Sequence, residues 1–114
     1  MKLVNCCQVR SEPVAEEGSK DTTIAWALSE KDGAPNFSMR IFRIQPGGYT
    51  PFHSHSWEHE IFIISGEGIL VDEGEEYRLK AGDIALVSPQ ERHQFRNNGQ
   101  QIWEFLCLVP NDRR

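Results

Sequence analysis

The sequence has only three cysteines, and none lies in the Cys-x-x-Cys or Cys/His finger spacing with which thiolates bind zinc or exchange disulfides. Cys6 and Cys7 are neighbours and cannot easily bridge each other. The odd total fits a reducing compartment better than a disulfide framework, so the thiols read first as small buried hydrophobes. No apolar run approaches the roughly 20 residues that span a bilayer. The start, Met1-Lys2-Leu3-Val4-Asn5-Cys6-Cys7, is too short for the apolar stretch of a secretion signal. These absences lead to the expectation of a cytoplasmic chain. Positive charge is also scarce: 12 Lys and Arg stand against 17 Asp and Glu, a net charge of −5. That balance repels phosphate backbones and anionic headgroups, so the expected partners include no nucleic acid and no membrane. Helical periodicity is scarce too, because in the first half, up to Gly48, apolar spacing of three and four never persists beyond one turn.

What is present is histidine in one place. The chain has four histidines. Three fall in the stretch His53-Ser54-His55-Ser56-Trp57-Glu58-His59-Glu60, and the fourth is His93. Imidazole is the commonest protein ligand for late first-row metals. A single metal held by His53, His55, His59 and His93 is therefore the first hypothesis, if a scaffold gathers them.

The 114 residues make one domain, 1–114, able to bury roughly two-thirds of its unfolded surface. Residues 1–23 read as an N-terminal arm, with a short apolar pattern followed by a polar, acidic loop over 11–23. Ile24 to Ser29 and Phe37 to Gln45 read as strands, the second ended by Pro46-Gly47-Gly48. From Glu60 onward, short β-branched and aromatic runs alternate with turn signals every eight to twelve residues. They are Glu60–Ile64, Ile69–Val71, Tyr77–Leu79, Ile84–Val87, His93–Arg96 and Ile102–Val109. Such regular spacing predicts an all-β sandwich or barrel with few or no helices. His53 and His55 differ by two, so they share a face on an extended segment.

The stretch Gly47-(Gly-Tyr-Thr-Pro-Phe)-His53-Ser54-His55-(Ser-Trp-Glu)-His59 through Gly66 resembles the first motif of the cupin superfamily. Gly82-(Asp-Ile-Ala-Leu-Val)-Ser88-Pro89-Gln90-(Glu-Arg)-His93-(Gln-Phe-Arg)-Asn97 resembles the second, and together they span 47–97. The resemblance implies an antiparallel jelly-roll β-barrel (a double-stranded β-helix) with a metal inside. Two departures matter. Ser88 and Gln90 stand where Pro and Gly are usual, so the turn before His93 is expected to differ in shape. Counting back from Gly66 places His59, rather than Glu60, where most cupins have a glutamate ligand; Glu60 remains the alternative at a looser spacing. The chain looks most like a four-histidine, manganese-binding subgroup of small single-domain cupins. The resemblance also implies a homodimer, with the N-terminal segment packed across the partner.

Four neutral imidazoles leave a divalent ion its full charge, a stronger Lewis acid than a three-histidine, one-glutamate centre. One ion per chain is expected, manganese favoured on the resemblance and iron, nickel or zinc as other occupants. Proton competition should weaken binding as pH falls toward 6.5. The resemblance implies that Arg40, Phe105 and Cys107 face the cavity, with Arg40 suited to steer an anionic substrate; Phe95, two residues past His93, is a candidate from the same face. Glu58 and Glu60 read first as solvated carboxylates, with a hydrogen bond from a ligand ring to one of them as the alternative. The functional expectation is a metal-dependent oxygenase or other oxidoreductase acting on a small molecule in the cavity. The alternatives are a non-catalytic binding module and a metal-dependent isomerase.

Overall fold

A computed structural model describes residues 1–113 as nine strands. They are β1 Ser11–Pro13, β2 Lys20–Leu28, β3 Phe37–Tyr49, β4 His59–Ser65, β5 Glu67–Val71, β6 Glu76–Lys80, β7 Ile84–Val87, β8 Gln94–Arg96 and β9 Trp103–Pro110. All pairs are antiparallel, in the order β6-β5-β8-β3-β9-β4-β7, with β2 on β3 and β1 on β2. The result is the nearly closed all-β jelly-roll barrel expected from the sequence. Among the described residues there is no α-helix, only single 3-10 turns at Cys6–Gln8 and Glu30–Asp32. None of these is long and apolar enough to cross a membrane.

Strict alternation builds the wall that faces the cavity. In β9, Trp103, Phe105, Cys107 and Val109 are buried while the residues between them are only partly so. In β4, His59, Ile61 and Ile63 turn inward and Glu60, Phe62 and Ile64 outward. Period-two side-chain geometry thus settles which residues reach the cavity. Trp103, fully buried, lies flat against β5 because Gly68 has no side chain; a Cβ there would sit 2.4 Å from the indole ring.

Two segments differ from expectation, both for a physical reason. The 11–23 loop contains β1 and the start of β2, where Thr22 and Thr23 supply β-branched side chains. An edge strand exposed on one face needs no apolar alternation to form, so hydrophobicity gave no signal for it. Pro46-Gly47-Gly48 does not end β3 but bends it. Gly47 adopts φ +85, and a Cβ on Gly48 would meet the Lys20 carbonyl at 2.7 Å. Through this corner β3 leaves its partner β9, paired from Phe37 to Ile44, and joins β8 at Tyr49. The corner thereby sends residues 50–55 across the barrel mouth toward β8.

Candidate metal centre

His53 emerges from that corner and forms an isolated antiparallel bridge with His93, with His53 N–H donating to His93 O at 3.2 Å and His93 N–H to His53 O at 2.9 Å. His55 follows on the same face, its carbonyl accepting from Gln90 N–H at 2.7 Å. Gln90 holds φ +69, the left-handed conformation that glycine would supply at this motif position. The Gln90 departure therefore keeps the left-handed backbone and places the strain in a non-glycine residue. His59 opens β4 and points into the barrel, and Glu60 lies exposed on the outside.

All four rings converge. Their centroids lie 5.1 Å apart for His53 and His55, 5.1 Å for His53 and His93, 5.0 Å for His55 and His93, 4.5 Å for His55 and His59, and 5.2 Å for His59 and His93. His53, His55 and His93 each offer a ring nitrogen within 4.8 Å of the others, and these three histidines could bind a metal ion. His59 Nε2 is 2.8 Å from His55 Nε2. That is hydrogen-bond distance, and His59 lies outside the group of three.

The hydrogen-bond partners fix the tautomers. Nδ1 of His55 lies 2.8 Å from the Trp57 carbonyl, and Nδ1 of His93 lies 2.9 Å from the Glu91 carbonyl. A carbonyl only accepts, so both rings carry the proton on Nδ1 and present a bare Nε2. His53 Nδ1 lies 2.7 Å from a carboxylate oxygen of Glu16, with the same consequence. His59 is different: Arg40 Nη2 at 3.2 Å and Cys107 Sγ at 3.3 Å both face its Nδ1. With Arg40 donating to Nδ1, the proton sits on Nε2 and points at His55. With the Cys107 sulfur accepting from Nδ1, Nε2 is bare and the cluster presents four lone pairs.

Burial dominates the electrostatics. It pushes His59 down to about 2, helped by the Arg40 guanidinium and then by the other rings, and His93 down to about 4. His55 is lowered by the same desolvation. His59 and His93 stay neutral well below the ordinary histidine range, and His55 is displaced in the same direction. Proton competition at them therefore sets in lower than the 6.5 expected from the sequence.

The rings open onto a cavity of about 360 Å³ whose lining includes all four expected residues, Arg40, Phe95, Phe105 and Cys107. Phe105 stacks between Phe42, at 5.4 Å, and Phe95, at 4.7 Å. Arg40 lies 5.4 Å from the Trp26 ring centroid and 5.0 Å from that of Phe42, and its Nη2 donates to Cys107 Sγ at 2.9 Å. Its Nε is buried without a hydrogen-bond partner. Cys107 is fully buried, and that burial pushes its thiol up against the opposing pull of Arg40.

The sequence reading missed two contacts. Trp57 stacks on His55 with ring centroids 4.3 Å apart and planes within 4°, fixing that ring from behind. Glu16 is the carboxylate that meets the cluster, whereas Glu58 and Glu60 border an outer groove with Phe37 and Leu108. Glu16 comes from the N-terminal arm, 37 positions before His53, and no local motif marks it.

Barrel and histidine cluster together define a jelly-roll protein with a candidate metal centre at one end of an aromatic cavity. The chain belongs to the cupin family: the cupin domain profile matches residues 40–109. It is similar to the solved structure of the polyketide cyclase RemF from Streptomyces resistomycificus, at 35% identity and a TM-score of 0.95. That match covers 99% of this chain and 81% of the other. It is also 31% identical to an oxalate-binding protein of Thermotoga maritima, covering 89% of this chain and 91% of that protein. A predicted oxalate decarboxylase from Thermotoga maritima, of known structure, is 28% identical with a TM-score of 0.84, covering 96% of this chain and 98% of the other.

Proposed function

We propose that the chain is a metal-dependent enzyme acting on a small carbonyl or carboxylate compound, with one divalent ion held by His53, His55, His59 and His93. The observation that carries this reading is the convergence of four imidazoles on a cavity whose lining also includes the Arg40 guanidinium and three phenyl rings. Manganese is the favoured ion, and iron, nickel or zinc would fit the same nitrogens. A bound ion supplies Lewis-acid polarisation of a substrate oxygen. The chain's own residues supply the rest. Phe42, Phe95 and Phe105 pack on the carbon skeleton and exclude water. Arg40, held between Trp26 and Phe42, takes the anionic end of the substrate.

Two relatives narrow the chemistry expected from the sequence. One is a polyketide cyclase and the other binds oxalate, and neither name describes an oxidation. Polyketones and oxalate both present paired oxygens to a metal. Redox-neutral carbonyl chemistry, cyclisation or isomerisation of a β-dicarbonyl, is therefore placed ahead of oxygenation. The likeness to an oxalate-binding protein supports a second reading, a binding module without turnover.

The test is manganese-loaded protein incubated with β-diketones, short polyketones, oxalate and phenols, with and without O2. Metal-dependent product formation without O2 uptake is expected. O2 consumption would return the assignment to an oxygenase, and saturable binding without product would favour the module.

A homodimer belongs to the same proposal. Exposed Phe62, Ile64, Ile84 and Leu86 form an apolar outer face on β4 and the edge strand β7. On the β2–β3 side, Ala25, Ala27, Ile41 and Met39 are packed by Val9 of the chain's own N-terminal segment. A second copy would close the open part. Light scattering should give twice the monomer mass, and Leu86→Lys should shift it toward the monomer.

A further inference from the structure

We infer that Glu16 is a positioning residue of the metal centre, supplying a carboxylate from outside a ligand sphere of neutral imidazoles. The inference rests on the four-histidine reading above. A three-histidine, one-glutamate set leaves a divalent ion a net charge of +1, and four imidazoles leave +2. The Glu16 carboxylate, 2.7 Å from His53 Nδ1, returns the negative charge one ring away. It also holds the ring in the tautomer that bares Nε2 and strengthens that nitrogen as a donor.

The arm is built to place it. Val14 N–H donates to the Thr22 carbonyl at 3.0 Å, and Ser19 Oγ donates to the carbonyls of Val14 and Glu16, each at 3.0 Å. Gly18, at φ +93, turns the chain against Pro51, two residues before His53. The loop is thus tied at both ends, and Glu16 reaches His53 across the cavity mouth that Pro13, Val14 and Ala15 also line. Its side chain is 55% exposed, so its accessible charge is partly screened and its contribution is moderate. Backbone carbonyls perform the same orienting task for His55 and His93. His53, on the exposed rim, is held by a side chain instead, and a side chain brings charge.

The test is manganese affinity by isothermal titration for the wild type, Glu16→Gln, Glu16→Asp and Glu17→Gln, with the melting temperature of each metal-free protein. Glu16→Gln should weaken manganese binding roughly tenfold, within the range for groups that orient metal ligands. Glu16→Asp should recover part of that loss. Glu17→Gln carries the same net charge as Glu16→Gln and should bind like the wild type. The metal-free melting temperatures should agree within about two degrees, as for exposed surface substitutions. Wild-type uptake with Glu16→Gln within twofold of it would overturn this inference alone. Equal losses in Glu16→Gln and Glu17→Gln would do the same, by reducing the effect to bulk charge. No uptake by the wild type would overturn the four-histidine reading itself.

Discussion

The mouth and the floor of the cavity treat the same residue type in opposite ways. At the mouth, half-buried His53 has a carboxylate behind it, donated by a polar arm remote in sequence. At the floor, buried His59 has a guanidinium and a sulfur behind it, donated by β3 and β9, two strands packed into the barrel wall. An anion behind one ring and a cation behind the other polarise the cluster along the cavity axis. The mouth would strengthen a metal–ligand bond at His53; the floor disfavours a protonated ring and leaves a positive group facing the cavity. The difference teaches that four chemically identical side chains need not be equivalent. Their backing sets what each contributes.

The largest expected effect comes from breaking the floor. Phe105→Ala removes a fully buried ring stacked on two others and should cost about 3–5 kcal/mol in urea unfolding. A loss under 1 kcal/mol would mean the floor is not packed as described. Next is a ligand in the middle of the cluster. His55→Ala should lower manganese affinity by about a hundredfold or more, beyond the effect of any backing residue. An equal loss in Glu16→Gln would erase the distinction between ligand and support.

Arg40→Met sharpens the comparison from the other side. It keeps the stem that packs on Trp26 and Phe42 but removes the charge, so a carboxylate ligand should bind roughly tenfold more weakly to the metal-loaded protein. Metal affinity itself should hold or rise, since the repulsive cation is gone; a fall to a tenth or below would contradict the account of the floor.

The pH dependence follows from burial. In the unfolded chain the imidazoles take protons below about 6.5. In the folded, metal-free protein His93 does so only near 4 and His59 near 2. The unfolded state therefore binds more protons over that interval, and folding stability, complete above about 6.5, must fall as pH drops toward 4. Urea midpoints at pH 7.5 and 5.0 check the sign. A higher midpoint at pH 5.0 would contradict neutral burial of the rings. The smallest effect concerns the turn before His93: Gln90→Gly should relieve left-handed strain and change stability by no more than about 1 kcal/mol, in the stabilising direction.

Much of this was legible because alternation and motif spacing are local signals. The parity of β9 put Phe105 and Cys107 on one face, the motif resemblance turned that face to the cavity, and the count back from Gly66 put His59 rather than Glu60 inside. Arg40 was marked by being a charge within an apolar strand. Glu16 could not be read this way. Its partner is 37 positions away, its neighbours are polar, and an exposed carboxylate in a loop has no periodic context. Pro46-Gly47-Gly48 misled for a related reason: the residues that end a strand are also those that turn a barrel corner, and only the partner strands distinguish the two. The tautomer of His59 also lay beyond the sequence, since it depends on two floor groups, Arg40 and Cys107, that both face Nδ1.

The central claim is that four histidines hold one divalent ion. Elemental analysis of the chain after saturation with manganese and desalting tests it most directly. About one ion per chain is predicted for the wild type; less than a tenth of an ion per chain would contradict the account.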